Sequence, residues 1–317
     1  MFESGETAFG GLCAGALITL IGVLTPAQAQ APLGARVPTP AAIPAAAVTA
    51  SAATPAIGTP GSQPGPAQPA KPAALNPATA PTMSAPIACR APLQLSHLDH
   101  PLLHTARRLA SGEPLVIVAI GSSSTAGAGA SSPAANYPSR LGIELKKLFP
   151  GHEITVLNRG ANGEETHDMM ARFATGVIAE HPQLVLWQVG TNSVLRDHPL
   201  DTHAVELREG IEQLKAIGAD VVLIDLQYAP KVLAKSETPG MEDQIALEAK
   251  DENVDLFHRF GVMRDWHEVQ HDSFDVFVSP DGLHMNDWGY ACWAKLLAGA
   301  IAEAANPPVA SAIRPTH

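Results

Sequence analysis

The run Leu115-Val116-Ile117-Val118-Ala119-Ile120, followed at once by Gly121-Ser122-Ser123-Ser124-Thr125, decides the fold. An apolar run without alternation is what a strand covered on both faces requires, and such strands belong to parallel sheets. Similar runs recur at Ile154–Leu157, Leu184–Val189 and Val221–Leu226, with a weaker one near Val254–Phe257. Helical patterns separate them. Ala204, Leu207, Ile211, Leu214 and Ile217 repeat at spacings of three and four, and Gly218 is placed as a C-terminal stop. Asn286 or Asp287 can cap a last helix with Trp288, Cys292 and Leu296 on one face. Strands alternating with helices predict an α/β domain: a parallel sheet with helices on both sides and its site at the carboxyl ends of the strands.

Outward from this domain, the chain of 317 residues is 46% hydrophobic, enough for one sizeable core or two small ones. Its formal net charge of −11 argues against a nucleic-acid partner, which would need clustered Lys and Arg. Ala8 to Leu24 is an uncharged, mostly apolar run, and Ala27-Gln28-Ala29 follows as a cleavage signal, so residues 1–29 read as a secretory signal peptide. Glu3 and Glu6 stand where such leaders carry positive charge; the other reading is an uncleaved N-terminal anchor. Residues 30–87 are mostly Ala, Pro, Thr, Ser and Gly, a semi-stiff linker that cannot bury enough apolar surface to fold. The folded domain is expected over 88–306, with a flexible tail at 307–317. The expected location is periplasmic or secreted, with tethering to the inner membrane or cell envelope through the N-terminus if the leader stays. With the leader removed, Cys89 and Cys292 remain. Either they form a disulfide tying the start of the domain to its last helix, or they pack as buried free thiols.

Four short motifs carry the chemistry: Gly121–Thr125, Asn158-Arg159-Gly160-Ala161-Asn162-Gly163, Gly190-Thr191-Asn192 and Asp281-Gly282-Leu283-His284. A serine hydroxyl attacks only if a base takes its proton, and His284 is the candidate base for Ser123. Asp281 lies three residues earlier, so one turn can bring its carboxylate to the imidazole and fix the tautomer. The backbone N–H groups of Ser123 and Gly163 and the side-chain amide of Asn192 can serve as oxyanion donors. The turn lacks the lysine of a phosphate loop, and Thr125 replaces the last glycine of an α/β-hydrolase elbow.

On these motifs the chain resembles the SGNH superfamily of hydrolases, the GDSL esterases and lipases, from about Leu115 to Ala304. The family's serine, glycine, asparagine and histidine fall on Ser123, Gly163, Asn192 and His284, with Asp281 completing the triad. The resemblance implies a flavodoxin-like three-layer α/β/α sandwich with a five-stranded parallel sheet, no cofactor and no metal. It also implies a small-molecule or carbohydrate ester substrate, cleaved through an acyl-enzyme on Ser123. The first motif departs from the family's Gly-Asp-Ser-Leu-Thr, since Ser122 replaces the acid; a local turn hydrogen bond from Ser122 is the expected substitute. The alternatives are an O-acyltransferase acting on envelope polysaccharide and a decayed binding domain.

His267-Glu268-Val269-Gln270-His271 also matches the zinc-protease pattern H-E-x-x-H, which would put two histidines on one helix face with Glu268 as base. The extended form fails, because Phe274 and Phe277 stand where a glycine and a third histidine are required. The expectation is therefore an exposed helix edge, with Trp266 placed to meet substrate.

Overall fold

The computed structural model describes residues 87–306. The leader, the linker up to residue 86 and the tail at 307–317 lie outside the described residues. Five strands form the sheet: β1 (Leu115–Gly121), β2 (Ile154–Gly160), β3 (Leu184–Gln188), β4 (Asp220–Ile224) and β5 (Asp255–Phe257). All neighbours pair in parallel in the order β2-β1-β3-β4-β5. That is the flavodoxin-like winding, whose switch point lies between β1 and β3.

Nine helices matter here: α1 (Leu103–Ser111), α2 (Ser123–Ala126), α3 (Tyr137–Leu148), α4 (Thr166–Ala171), α5 (Thr191–Leu195), α6 (Leu200–Ala216), α7 (Thr238–Asp251), α8 (Arg259–Arg264) and α9 (Asp287–Ala305). The sheet divides the core into two layers, because successive side chains of a strand point to opposite faces. Leu115, Ile117 and Ala119 pack with α1, α3 and α9. Val118 and Ile120 pack on the other side with α4, α6 and α7. This two-sided burial is why β1 reads as an unbroken apolar run.

The longest helix shows how sequence sets an element. The Asn286 side chain accepts from Gly289 N at 3.0 Å and caps α9. Tyr290, Trp293, Leu297 and Ile301 then recur at spacings of three and four and are buried. Trp293 meets Tyr137 of α3 with ring centroids 4.1 Å apart. Cys292 on the same helix is joined to Cys89 by a disulfide, Cα atoms 5.2 Å apart, so the start of the domain is fastened to its last helix.

The zinc-protease match does not fold as a helix face. Residues Asp265–Val269 form a π-helical turn, and His271 lies in the left-handed region at φ 63°. His267 Nδ1 lies 2.9 Å from the Asp272 carbonyl oxygen, and its ring stacks on Phe274 at 4.0 Å. Glu268 accepts from the Tyr228 hydroxyl at 2.6 Å. Among the described residues no cluster of His, Cys, Asp and Glu is arranged to hold a metal ion. Trp266 is a core residue rather than a substrate contact: it is fully buried, donates from Nε1 to Arg90 O at 2.9 Å, and packs against Phe277 and Trp288.

Candidate active site

Ser123, Gly163 and Asn192 follow the carboxyl ends of β1, β2 and β3, and the Asp281–His284 turn leads into α9. Ser123 is the first residue of α2, two positions after β1 ends, so its N–H has no acceptor within the helix. The end of β2 presses on this turn: a Cβ on Gly160 would lie 2.1 Å from the Ala126 nitrogen, so only glycine fits there. Ala161 N donates to Gly121 O at 3.0 Å, and the Asn158 side-chain amide donates to Thr125 O at 2.8 Å. The strand of the second motif is thereby stitched to the turn of the first. Gly163 adopts φ 80°, a conformation open to glycine, which lets the chain double back toward Asn192.

His284 Nε2 lies 2.8 Å from Ser123 Oγ across 161 positions of sequence, and His284 Nδ1 lies 2.5 Å from Asp281 Oδ2. The other Asp281 oxygen accepts from Leu283 N at 2.9 Å, from His284 N at 3.0 Å and from Ser279 Oγ at 2.8 Å. Partial burial alone would raise the Asp281 carboxyl; the bonds from His284, Leu283 and Ser279 outweigh it and hold the group well below the usual carboxylate range. Asp281 is thus a fixed anion, and the proton between it and His284 belongs on the imidazole. With Nδ1 carrying that proton, Nε2 is free to accept from Ser123.

Asn192, the second residue of α5, donates from Nδ2 to Glu164 O at 2.8 Å. One N–H of the amide is thus fixed on the loop that holds Gly163, and the second remains to donate elsewhere. Sequence reasoning missed the groups that brace this arrangement. Arg172 Nε and Nη2 hold the Glu164 carboxylate at 2.6–2.9 Å, and Nη2 also reaches Arg159 O at 2.7 Å. Gln188, buried at the end of β3, accepts from Ser122 N and Ser122 Oγ, both at 3.0 Å. The Ser122 hydroxyl therefore bonds across the sheet rather than within its own turn. The signal for Gln188 was a lone amide closing an apolar run.

The cavity beside the Asp281–His284 turn, about 310 Å³, is lined by Pro230, Phe274, Val278, Ser279, Pro280 and Gly282 among others. A larger one, about 530 Å³, lies at the opposite end of the sheet around Arg107, Arg108 and Gln183, remote from this chemistry.

A serine, imidazole and carboxylate at the strand ends of this sheet, beside a glycine and an asparagine on neighbouring loops, define the SGNH/GDSL class of hydrolases. Within that class the chain belongs to the Non-GDSL lipase-like family, whose profile matches residues 88–307. Over 95 residues it is 32% identical to an arylesterase of Vibrio mimicus, an alignment covering 30% of this chain and 46% of that protein. The chain thus spans about half the length of that curated relative. In fold it is similar to a two-domain esterase active on acetylated mannans, with a TM-score of 0.58, 18% identity, and coverage of 67% of this chain and 56% of that one. TesA gives a TM-score of 0.51 at 19% identity, over 59% of this chain and 97% of that one.

Proposed function

We propose that the protein is a serine carboxylic-ester hydrolase acting on short-chain acyl or carbohydrate O-acetyl esters. The observation that carries this reading is the 2.8 Å approach of His284 Nε2 to Ser123 Oγ, with Asp281 fixed behind the imidazole. Ser123 Oγ attacks the ester carbonyl while its proton passes to His284 Nε2. The oxyanion takes hydrogen bonds from the N–H groups of Ser123 and Gly163 and from the Asn192 amide. As the tetrahedral intermediate collapses, the C–O bond to the alcohol breaks and His284 returns the proton to the leaving oxygen. Water, deprotonated by the same imidazole, then attacks the acyl carbon; the bond to Ser123 Oγ breaks, the acid leaves, and His284 returns the proton to Ser123 Oγ. Family membership, the arylesterase relative and the acetylmannan-active fold neighbour support the ester class. Export to the periplasm or medium completes the reading, carried by the apolar run Ala8 to Leu24 and the cleavage signal after it; envelope tethering through the N-terminus is the other reading, for a leader that stays.

The test is hydrolysis of p-nitrophenyl acetate by wild type and Ser123→Ala, with a fluorophosphonate probe as second readout. The variant should lose at least about 10³-fold in kcat and fail to label. Retained activity would defeat the assignment, and a wild type that neither labels nor turns over would favour a decayed binding domain. Appearance of acylated oligosaccharide in place of free acid would mark an acyltransferase.

A further inference from the structure

Two arginines reach the loop that holds Gly163, and they spend their donors differently. Arg172 turns Nε and Nη2 inward, to the Glu164 carboxylate and to backbone carbonyls of Arg159 and Gly121. Arg196, which caps the C-terminal end of α5, gives only Nη1, to Glu165 Oε1 at 2.8 Å. Among the described residues its side chain has no other hydrogen-bond partner. Glu165 is a buried anchor, with 10% of its side chain exposed against 51% for Arg196. The far nitrogen, Nη2, lies 3.3 Å from the point a Cβ on Gly163 would occupy. One edge of the guanidinium is therefore fixed, and the other is held at the lip of the site, beside a backbone group assigned to the oxyanion.

A guanidinium edge carries N–H donors in a rigid fork, suited to two neighbouring oxygen atoms. Glu165 offsets its charge and the chain carries a net −11, so an anionic group gains little there. Neutral vicinal oxygens suit the fork better. We propose that Arg196 is a specificity-determining residue whose free edge binds adjacent hydroxyl or ring oxygens of a polyol alcohol, which makes sugar esters its substrate class. This rests on the hydrolase reading above.

The experiment compares kcat/KM for an O-acetylated mannooligosaccharide and for p-nitrophenyl acetate, using wild type, Arg196→Gln and Arg196→Lys. Fluorophosphonate labelling of each variant reports that its site is assembled. The ratio of the sugar ester to the aryl ester should fall about tenfold in Arg196→Gln, mainly through KM for the sugar ester. Arg196→Lys should recover little of it, because an ammonium lacks the fork. Equal losses on both substrates, or full recovery by lysine, would overturn the proposal. A wild type that cleaves only the aryl ester would also overturn it while leaving the hydrolase reading standing; cleavage of neither would remove both.

Discussion

Ser122 occupies the position where the superfamily motif has an acid, and its surroundings are unsuited to one. Its N–H and its hydroxyl both donate to Gln188 Oε1, which also accepts from Thr125 Oγ1 at 3.4 Å. With Ser122 2% exposed and Gln188 1%, this oxygen ties the nucleophile turn to β3 in a dry environment. A carboxylate at 122 would be buried facing that oxygen, losing solvation and gaining repulsion. Ser122→Asp should therefore destabilise by roughly 2 kcal/mol or more and lower kcat, while Ser122→Ala, which keeps the N–H bond, should cost only about 1 kcal/mol. Thermal melting and nitrophenyl acetate turnover check this, and an Asp variant as stable and active as wild type would remove the explanation. Ser123, Gly163 and Asn192 were legible because each follows an apolar run, and Asp281 and His284 because they stand three residues apart just before the last helix. Gln188 and Ser122 are 66 positions apart, and no local pattern pairs them. Arg196 was invisible for a related reason: on sequence it is one charged residue following a short helix, and only its approach to Gly163 distinguishes it.

At the scale of elements, the strands could be read because burial on both faces leaves a compositional trace; only β5, with three residues, left a weak one. The π-turn at Asp265–Val269 left none, since the spacing that suggests a zinc helix is the same whether the backbone closes four or five residues back. The contact between β4 and α7 hides a titration that composition cannot show. Burial pushes the Asp225 carboxyl up to about 7, despite the hydrogen bond from Phe260 N and the charge of Arg259, and it pushes neighbouring Glu242 up as well. A carboxyl raised from an ordinary 3.8 holds its proton in the fold. Its stabilising share is complete below about pH 4 and is lost as pH rises through about 7. Asp225→Asn keeps an acceptor for Phe260 and removes that loss. The melting-temperature advantage of the variant over wild type should therefore grow from about pH 4.5 to about pH 7.5. Taking the difference cancels opposing groups such as His203, which burial depresses to about 4 and which weakens the fold on acidification. A difference that stays flat with pH would show that Asp225 is ionised throughout.

For the whole molecule, the decisive fact is that the hydroxyl and the imidazole of the site are 161 positions apart, so the site exists only while the sheet holds its order. The Cys89–Cys292 bridge encloses that entire span, with Ser123 and His284 both inside a loop of 203 positions. Alongside it Arg90 accepts from Trp266 Nε1 and donates to Gln270 Oε1 at 3.1 Å, laying the first described segment across the turn before Phe274. A cross-link over so long a loop acts mainly by narrowing the unfolded ensemble, so it should move the unfolding equilibrium while leaving the folded site unchanged. Replacing both cysteines by serine is expected to cost about 2–5 kcal/mol in urea unfolding. Below the transition, kcat on nitrophenyl acetate should stay within about twofold of wild type, since neither sulfur touches the Ser123–His284 pair. Activity and fluorescence should be lost at the same, lowered denaturant concentration, because nucleophile and base are brought together by one cooperative domain. Should kcat fall well below the transition, the bridge would be holding the site's geometry directly; an unmoved midpoint would mean that packing of α9 alone closes the domain.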